Sequence, residues 1–210
     1  MDLSSSNDLT STVKLFPPEG DASPENPYVA LADFWLPQDN VEKRMAEQRA
    51  PYDVWVREKW IRTTAGDVID YRSIVTQLLA DCELYEVLEL AFDPYLATSV
   101  SNELQAAGIA ADRLVKFPQR FEHFAAPTKE LLDVLIPKRA IAHLANPVLA
   151  WNAGNMIVLE NANGDRRPIK KRDYGKIDGM VALIMALGRA LANSGPGSSV
   201  YTAQRGAFFV

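Results

Sequence analysis

Asp93 stands where the apolar run "VLELAF" (87–92) gives way to Pro94, Asp178 stands directly before "GMVALIMALGRALAN", and Asp2 precedes Leu3 in "MDLSSSNDL". Taken singly, Asp93 and Asp178 suit the position ahead of a helix, where a carboxylate accepts backbone N–H groups and favours the helix dipole. Taken together with Asp2 they allow a different chemistry. Carboxylates that converge on one point repel each other unless a cation neutralises them. Hard divalent ions such as Mg²⁺ or Mn²⁺ are held by such oxygen ligands, with water and phosphate completing the shell. Two ions ~3.5–4 Å apart activate a water and stabilise the leaving oxygen of a phosphodiester. In an open α/β sheet ligands bind at the carboxyl ends of strands. Asp93 ends a strand of that kind, and Asp2 would lie in the neighbouring first strand.

Other chemistries lack their residues. His123 and His143 with the single Cys82 are too few for a zinc site. There is no G-x-x-x-x-G-K-[ST] phosphate loop and no G-x-S-x-G nucleophile elbow. One cysteine forms no internal disulfide and fits a reducing cytosol. No apolar run approaches the ~20 residues of a membrane span, and the start lacks the basic and apolar regions of a signal peptide. The expectation is a cytoplasmic protein (a bacterial host cytoplasm, given the resemblance below) that makes no membrane contact.

The net charge of −5 hides an asymmetry: residues 113–176 carry 12 Lys and Arg against 6 Asp and Glu. The excess peaks in "RRPIKKRDYGK", where Arg166, Arg167, Lys170, Lys171, Arg172 and Lys176 form a strip just ahead of Asp178. Such a strip either holds a nucleic-acid backbone over the acids or simply solvates a loop.

The elements that would position these residues follow from periodicity and punctuation. "STVKLF" (11–16) reads as a strand paired with the opening strand through the Ser/Asn/Asp-rich turn, and "YVALADFWL" continues the meander after a Pro/Gly/acid loop. Residues 40–60 read as a helical insertion interrupted by Pro51. "WIRTTAGDVID" is a hairpin or an extended excursion, and "YRSIVTQLLADCELY" a helix with Ile74, Leu78, Leu79 and Cys82 inward. The strand 87–92 leads through Pro94, at the first helical position, to a helix stopped by Gly108. "DRLVKFPQ" is a strand, "PTKELLDVLIPKRAIAHL" a helix, and "NMIVLENANGDRRPIKK" a hairpin turning at Asn163-Gly164. "KIDGMVALIMALGRALAN" is apolar nearly all round and should be a buried helix. The order implies a mixed α/β sheet, antiparallel meander plus parallel strands, with helices on both faces. At 210 residues this is one domain over 1–194, with 195–210 a C-terminal tail that is disordered or packs on its own domain.

The order of "DLSSSNDLT", "LAFDPYLA", "NPVLAWNAGN" and "KIDGMVALIMALGRA" resembles the nuclease domain of the large terminase subunits of tailed bacteriophages and prophages, from Asp2 to about Ala192. The resemblance implies a ribonuclease H-like fold and a divalent-metal-dependent DNA endonuclease with two Mg²⁺ or Mn²⁺ ions. It places the metal-holding acids at Asp2, Asp93 and Asp178, with Asp8 as a supporting acid; Asp8 also suits a turn. Asn146, Asn152 and Asn155 match an asparagine-rich approach to the family's site, or serve loop and turn hydrogen bonds. Lys170 and Lys171 fall at the family's basic positions before the last acid.

By the same resemblance the substrate is concatemeric double-stranded DNA, and a complete subunit carries an ATPase domain ahead of this one and works with a small terminase subunit and a portal. Met1 followed at once by Asp2 then suggests an opening strand shorn of its first residues, which would loosen Asp2. Another ribonuclease H-like nuclease, a resolvase or a transposase core, would prefer branched to linear DNA. A non-catalytic DNA- or portal-docking module would use its acids only as caps.

Overall fold

The computed structural model describes residues 1–2, 9–94, 98–173 and 175–193, and the backbone of 206–209; Asp8 lies outside the described residues. The meander forms as its alternation dictates: β1 (Thr10–Phe16) pairs antiparallel with β2 (Tyr28–Pro37), from Thr10 opposite Trp35 to Phe16 opposite Val29. Residues 40–60 become two short helices, α1 (Val41–Gln48) and α2 (Tyr52–Arg57), separated at Pro51. The excursion after them is one short strand, β3 (Arg62–Thr64), parallel to β2 rather than folded back as a hairpin. Next come α3 (Tyr71–Leu84), capped by the Asp70 side chain on the Arg72 amide, and β4 (Glu86–Phe92). After β4 follow α4 (Thr98–Ala106) and β5 (Leu114–Lys116), which runs parallel to β4. Gly108, at φ +98°, ends α4 as expected, a backbone conformation glycine adopts without Cβ strain.

Pro94 lies in a turn after β4, and α4 is described from Thr98. One expectation needs correction here. The helix expected from residue 127 starts upstream as α5 (Phe121–Lys129), with Pro127 inside it, and continues as a π turn over Glu130–Leu135. A proline near a helix start is easily taken for its first residue; here it interrupts the ladder in mid-helix, and the wider π turn follows. Arg139, at φ +54°, ends this segment, and Ile141–Ala142 forms β6, parallel to β2.

The chain continues through α6 (Pro147–Asn155) and a hairpin of β7 (Met156–Glu160) and β8 (Arg166–Lys170) that forms its own two-stranded sheet. The Asn161 carboxamide oxygen accepts from the amides of Asn163 and Asp165 at 2.9 Å each, fixing the turn read at Asn163-Gly164. Then comes α7 (Asp178–Asn193), buried from Gly179 to Leu187. Within the tail, Gly206–Phe209 packs on the domain as a strand, β9, in the main sheet, whose order is β3-β2-β1-β9-β4-β5 with β6 also on β2.

Helices cover both faces, and side-chain alternation divides the core accordingly. Val13, Leu15, Phe34, Leu36 and Ala91 pack with Phe124 of α5, Val148 and Leu149 of α6 and the body of α7. Trp35, Val87, Leu90 and Phe92 pack with Ile74 and Leu78 of α3 and Val100 and Leu104 of α4. A register shift between Val87 and Glu89 lets Val87 and Leu90 share a face despite their odd spacing. Glu89, on the same face as Ala91, meets α7, where the Arg189 guanidinium donates to both carboxylate oxygens at 2.6 and 3.1 Å. Beneath the sheet, Nζ of Lys14 is buried between two acids, donating to Asp33 at 2.6 Å and to both oxygens of Asp81 at 3.1 and 3.2 Å.

Candidate active site

Asp2 is not a frayed end. Its amide donates to the Ser11 carbonyl at 3.1 Å and its carbonyl accepts from Ser11 at 3.2 Å. The α-amino group of Met1 donates to the Ala91 carbonyl at 2.7 Å, so these two residues bridge β1 to β4. Gln119, just past β5, donates its side-chain N–H to Oδ1 of Asp2 at 3.0 Å. Asp93 follows β4 as Gln119 follows β5, so the two side chains leave adjacent parallel strands at their carboxyl ends, where such sheets place their sites.

Asp178 arrives from the opposite face as the first residue of α7. Its place is set by its neighbour. The Gly179 amide donates to the carboxamide oxygen of Asn152 at 2.9 Å, and Asn152 is anchored in turn by donating to the Val148 carbonyl at 3.0 Å. A Cβ on Gly179 would stand 2.7 and 2.9 Å from ring carbons of Phe34, which is itself fully buried in β2. The glycine therefore sets how closely α7 approaches β2. Gly179→Ala is expected to destabilise the protein by ~1–3 kcal/mol and to displace Asp178. Chemical denaturation checks the first effect, and cleavage rate relative to the parent checks the second.

The electrostatics link the acids. The Asp2 carboxyl is pushed up from 3.8 to about 7, first by burial and then by repulsion from Asp178, with Asp93 adding to it, against the opposing effects of Gln119 and the Met1 amine. The Asp178 and Asp93 carboxylates therefore both act on Asp2. Among the described residues, no three His, Cys, Asp or Glu side chains are gathered into a ready metal cage. An all-oxygen acidic donor set of this kind fits a hard divalent cation.

The raised pKa carries a stability consequence whose sign is fixed. Folded protein keeps the Asp2 proton more tightly than unfolded chain between pH ~4 and ~7, so stability falls as pH rises through that window. Asp2→Asn removes this fall. In EDTA at pH 8 the variant should be more stable than the parent by roughly 4 kcal/mol, with little difference at pH 4. Urea denaturation at both pH values measures it; equal pH slopes would contradict it.

The basic strip divides. Arg166 is held by a bidentate pair with Asp133, and Arg167 lies over the Phe121 ring at 5.0 Å, so both tie the hairpin to the α5 segment. Lys176 is buried. Lys170, Lys171 and Arg172 are exposed and present their charge to solvent. The three asparagines take structural bonds. Asn146 caps α6 on the Val148 and Leu149 amides and donates to the Ala32 carbonyl, Asn152 supports α7, and Asn155 donates to the Lys176 carbonyl. Gln119 and Gly179 went unnoticed in the sequence. For Gln119 the available signal was its place just after a strand parallel to β4.

Acids at the ends of sheet strands and at the head of a buried helix, on a mixed sheet covered on both faces, define a ribonuclease H-like nuclease domain. Residues 1–194 match the family model described as "Terminase large subunit, endonuclease domain". The chain is 35% identical over 190 residues to "Terminase, large subunit" of Enterobacteria phage HK97, covering 90% of this chain and 36% of that protein. It is 31% identical over 199 residues to "Protein YmfN" of Escherichia coli (strain K12), covering 90% and 42% respectively. It also superposes on the crystal structure of the HK97 bacteriophage large terminase with a TM-score of 0.78 at 34% identity, over 90% of this chain and 38% of that one. The chain belongs to the endonuclease-domain family of terminase large subunits, and it spans about two fifths of the length of these relatives. No described helix is long and apolar enough to cross a membrane.

Proposed function

We propose that this domain hydrolyses phosphodiester bonds of double-stranded DNA with two divalent cations, Mg²⁺ or Mn²⁺, held by Asp2, Asp93 and Asp178. The observation that carries this reading is the Asp2 carboxyl, which Asp178 and Asp93 act on together from separate elements. When bound, such ions supply an activated water and stabilise the departing 3′-oxygen, which leaves 5′-phosphate and 3′-hydroxyl ends. The protein's own groups provide the setting. Gln119 orients the Asp2 carboxyl. Asn152 and Gly179 fix the head of α7, and exposed Lys170, Lys171 and Arg172 offer charge to the DNA backbone.

In the longer proteins of this family the substrate is read as concatemeric DNA, cut when packaging starts and when a head is full in the bacterial cytoplasm. An ATPase domain, a small terminase subunit and a portal would act alongside. Asp8, in this reading, supports the three acids. The domain alone should cut plasmid DNA slowly and with little sequence preference in Mn²⁺ or Mg²⁺, and neither with EDTA nor as Asp93→Ala. Gel electrophoresis of plasmid over a metal titration reads the result, and equal cutting in EDTA or by the variant overturns it.

A further inference from the structure

The outer edge of β2 is paired at its two ends and open between them. β6 lies along Tyr28 and Val29, β3 lies along Trp35, Leu36 and Pro37, and among the described residues no strand pairs with residues 30–34 on that side. The Tyr28 amide donates to the Ala140 carbonyl at 3.0 Å, and the Ala32 carbonyl accepts from the Asn146 carboxamide at 3.2 Å. Backbone groups of alternate residues, Ala30, Ala32 and Phe34 among them, therefore point outward. A cavity of about 280 Å³ opens on this interval. Its walls are the chain entering β3, at Lys59 and Trp60, and the chain leaving β6, at His143 and Leu144.

Nδ1 of His143 is buried without a hydrogen-bond partner, a costly state for a ring nitrogen. The turn that follows it is strained: Leu144 and Ala145, at φ +50° and +53°, are consecutive non-glycine residues in the left-handed region. Lys59, on the opposite wall, is a third at φ +64°, so three of the five such residues described flank one cavity. Lys59 is exposed, and the ion pairs of the described residues do not include it. The acid in the cavity, Asp33, is already paired with Lys14 and Arg62. The cavity therefore carries a surplus of positive charge.

An open sheet edge ordinarily takes a peptide strand. Here five residues span only ~17 Å, and the two walls close both ends, so a strand has no way through. A compact ligand fits instead, because the volume is near the ~300 Å³ lower end of small-molecule sites. Alternating backbone N–H and C=O groups, flanked at Ala30 and Ala32 by methyl side chains, complement the donor and acceptor edge of a nucleobase. The half-buried Trp60 offers apolar area to a flat ring, and the Lys59 ammonium matches a phosphate.

We propose that this cavity binds one nucleoside monophosphate unit, its base against the open edge of β2 and His143, and its phosphate at Lys59. The unit comes from one of two sources, a free nucleotide or the unpaired end nucleotide of a DNA strand. Only the second source rests on the DNA-cleavage reading above; the site itself does not.

The test runs in EDTA, so neither cleavage nor metal binding enters it. Titrated dTMP should shift the NMR signals of the His143 imidazole and the Trp60 indole, with a Kd below ~1 mM. Inorganic phosphate and thymidine, each lacking part of the contacts, should bind at least ~10-fold more weakly. Lys59→Gly removes the charge and accepts the left-handed backbone, and His143→Phe keeps a flat ring without Nδ1. Each should weaken dTMP about tenfold, with an intact fold by urea denaturation. A 5′-phosphorylated duplex with a short single-stranded end, set against the blunt duplex, separates the sources. Tighter binding than both the blunt duplex and dTMP, lost in Lys59→Gly, assigns the DNA end; binding no better than blunt assigns the free nucleotide. Unmoved His143 and Trp60 signals at saturating dTMP overturn the proposal. So does inorganic phosphate binding as tightly as dTMP, which leaves an adventitious ion only, or dTMP affinity unchanged in Lys59→Gly. A protein that binds dTMP but never cuts plasmid refutes the nuclease reading and leaves the nucleotide site standing.

Discussion

Asp178→Asn should abolish DNA cleavage while leaving the fold intact. The substitution keeps the shape of the side chain, and asparagine serves the start of a helix about as well as aspartate. What it removes is one negative charge from a group of three. A divalent ion would then lose an anionic ligand, and losing one preorganised electrostatic group typically costs ~10²–10³-fold in rate. Repulsion from Asp178 is the second largest influence on the Asp2 carboxyl after burial, so the variant should also bring the Asp2 pKa down from about 7 toward its ordinary value. That predicts a protein at least as stable as the parent in EDTA near neutral pH, yet inactive with Mn²⁺. Plasmid cleavage and thermal unfolding on the same preparations measure both halves. A variant that cuts at more than a tenth of the parent rate would remove Asp178 from the site.

The largest stability effect is expected away from the site, at Lys14. Its ammonium is buried between Asp33 and Asp81, and Asp81 is itself buried and also accepts from Gln77 at 2.9 Å. Asp33 keeps a second partner in Arg62 at 3.1 Å, whereas among the described residues Asp81 forms its ion pair with Lys14. Lys14→Met keeps the apolar stem and removes the charge, leaving Asp81 buried without its cation. Breaking a buried pair from one side costs ~3–5 kcal/mol. Burial already raises the Asp81 carboxyl despite Lys14, so part of that cost should appear as protonation of Asp81 and ease toward acid pH. Lys14→Met with Asp81→Leu removes both charges and should recover most of the loss, because a well-packed apolar replacement of a buried pair is often neutral. Urea denaturation of the single and double variants reads this directly, and a single-variant cost below ~1 kcal/mol would contradict it.

Where the local pattern is strong, the fold was legible. The period-2 runs of β1 and β2, the apolar "VLELAF" and the all-round apolar α7 each formed the expected element, because their burial follows from composition alone. What escaped were features set by distant partners. β3 and β6 are two and three residues long and exist because β2 offers them an edge. β9 pairs with β1 and β4, both far along the chain, and a tail flanked by Gly and Ser gives no local sign of that. The basic run "RRPIKKRDYGK" looks uniform in sequence, yet pairing with Asp133, stacking on Phe121 and burial of Lys176 leave three exposed cations. Asp93 and Asp178 were visible as acids at element boundaries. Gln119, which orients Asp2, and Gly179, which sets the approach of α7 to β2, were not, because each matters only through a contact far along the chain.

The central claim, that Asp2, Asp93 and Asp178 together hold two divalent ions, is tested most directly by a Mn²⁺-soaked crystal and its anomalous scattering. The account predicts two peaks ~3.5–4 Å apart, bound by these three carboxylates at the carboxyl end of β4 and the head of α7. Mn²⁺ absent from the three aspartates at saturating concentration, or bound only elsewhere on the domain, would contradict it.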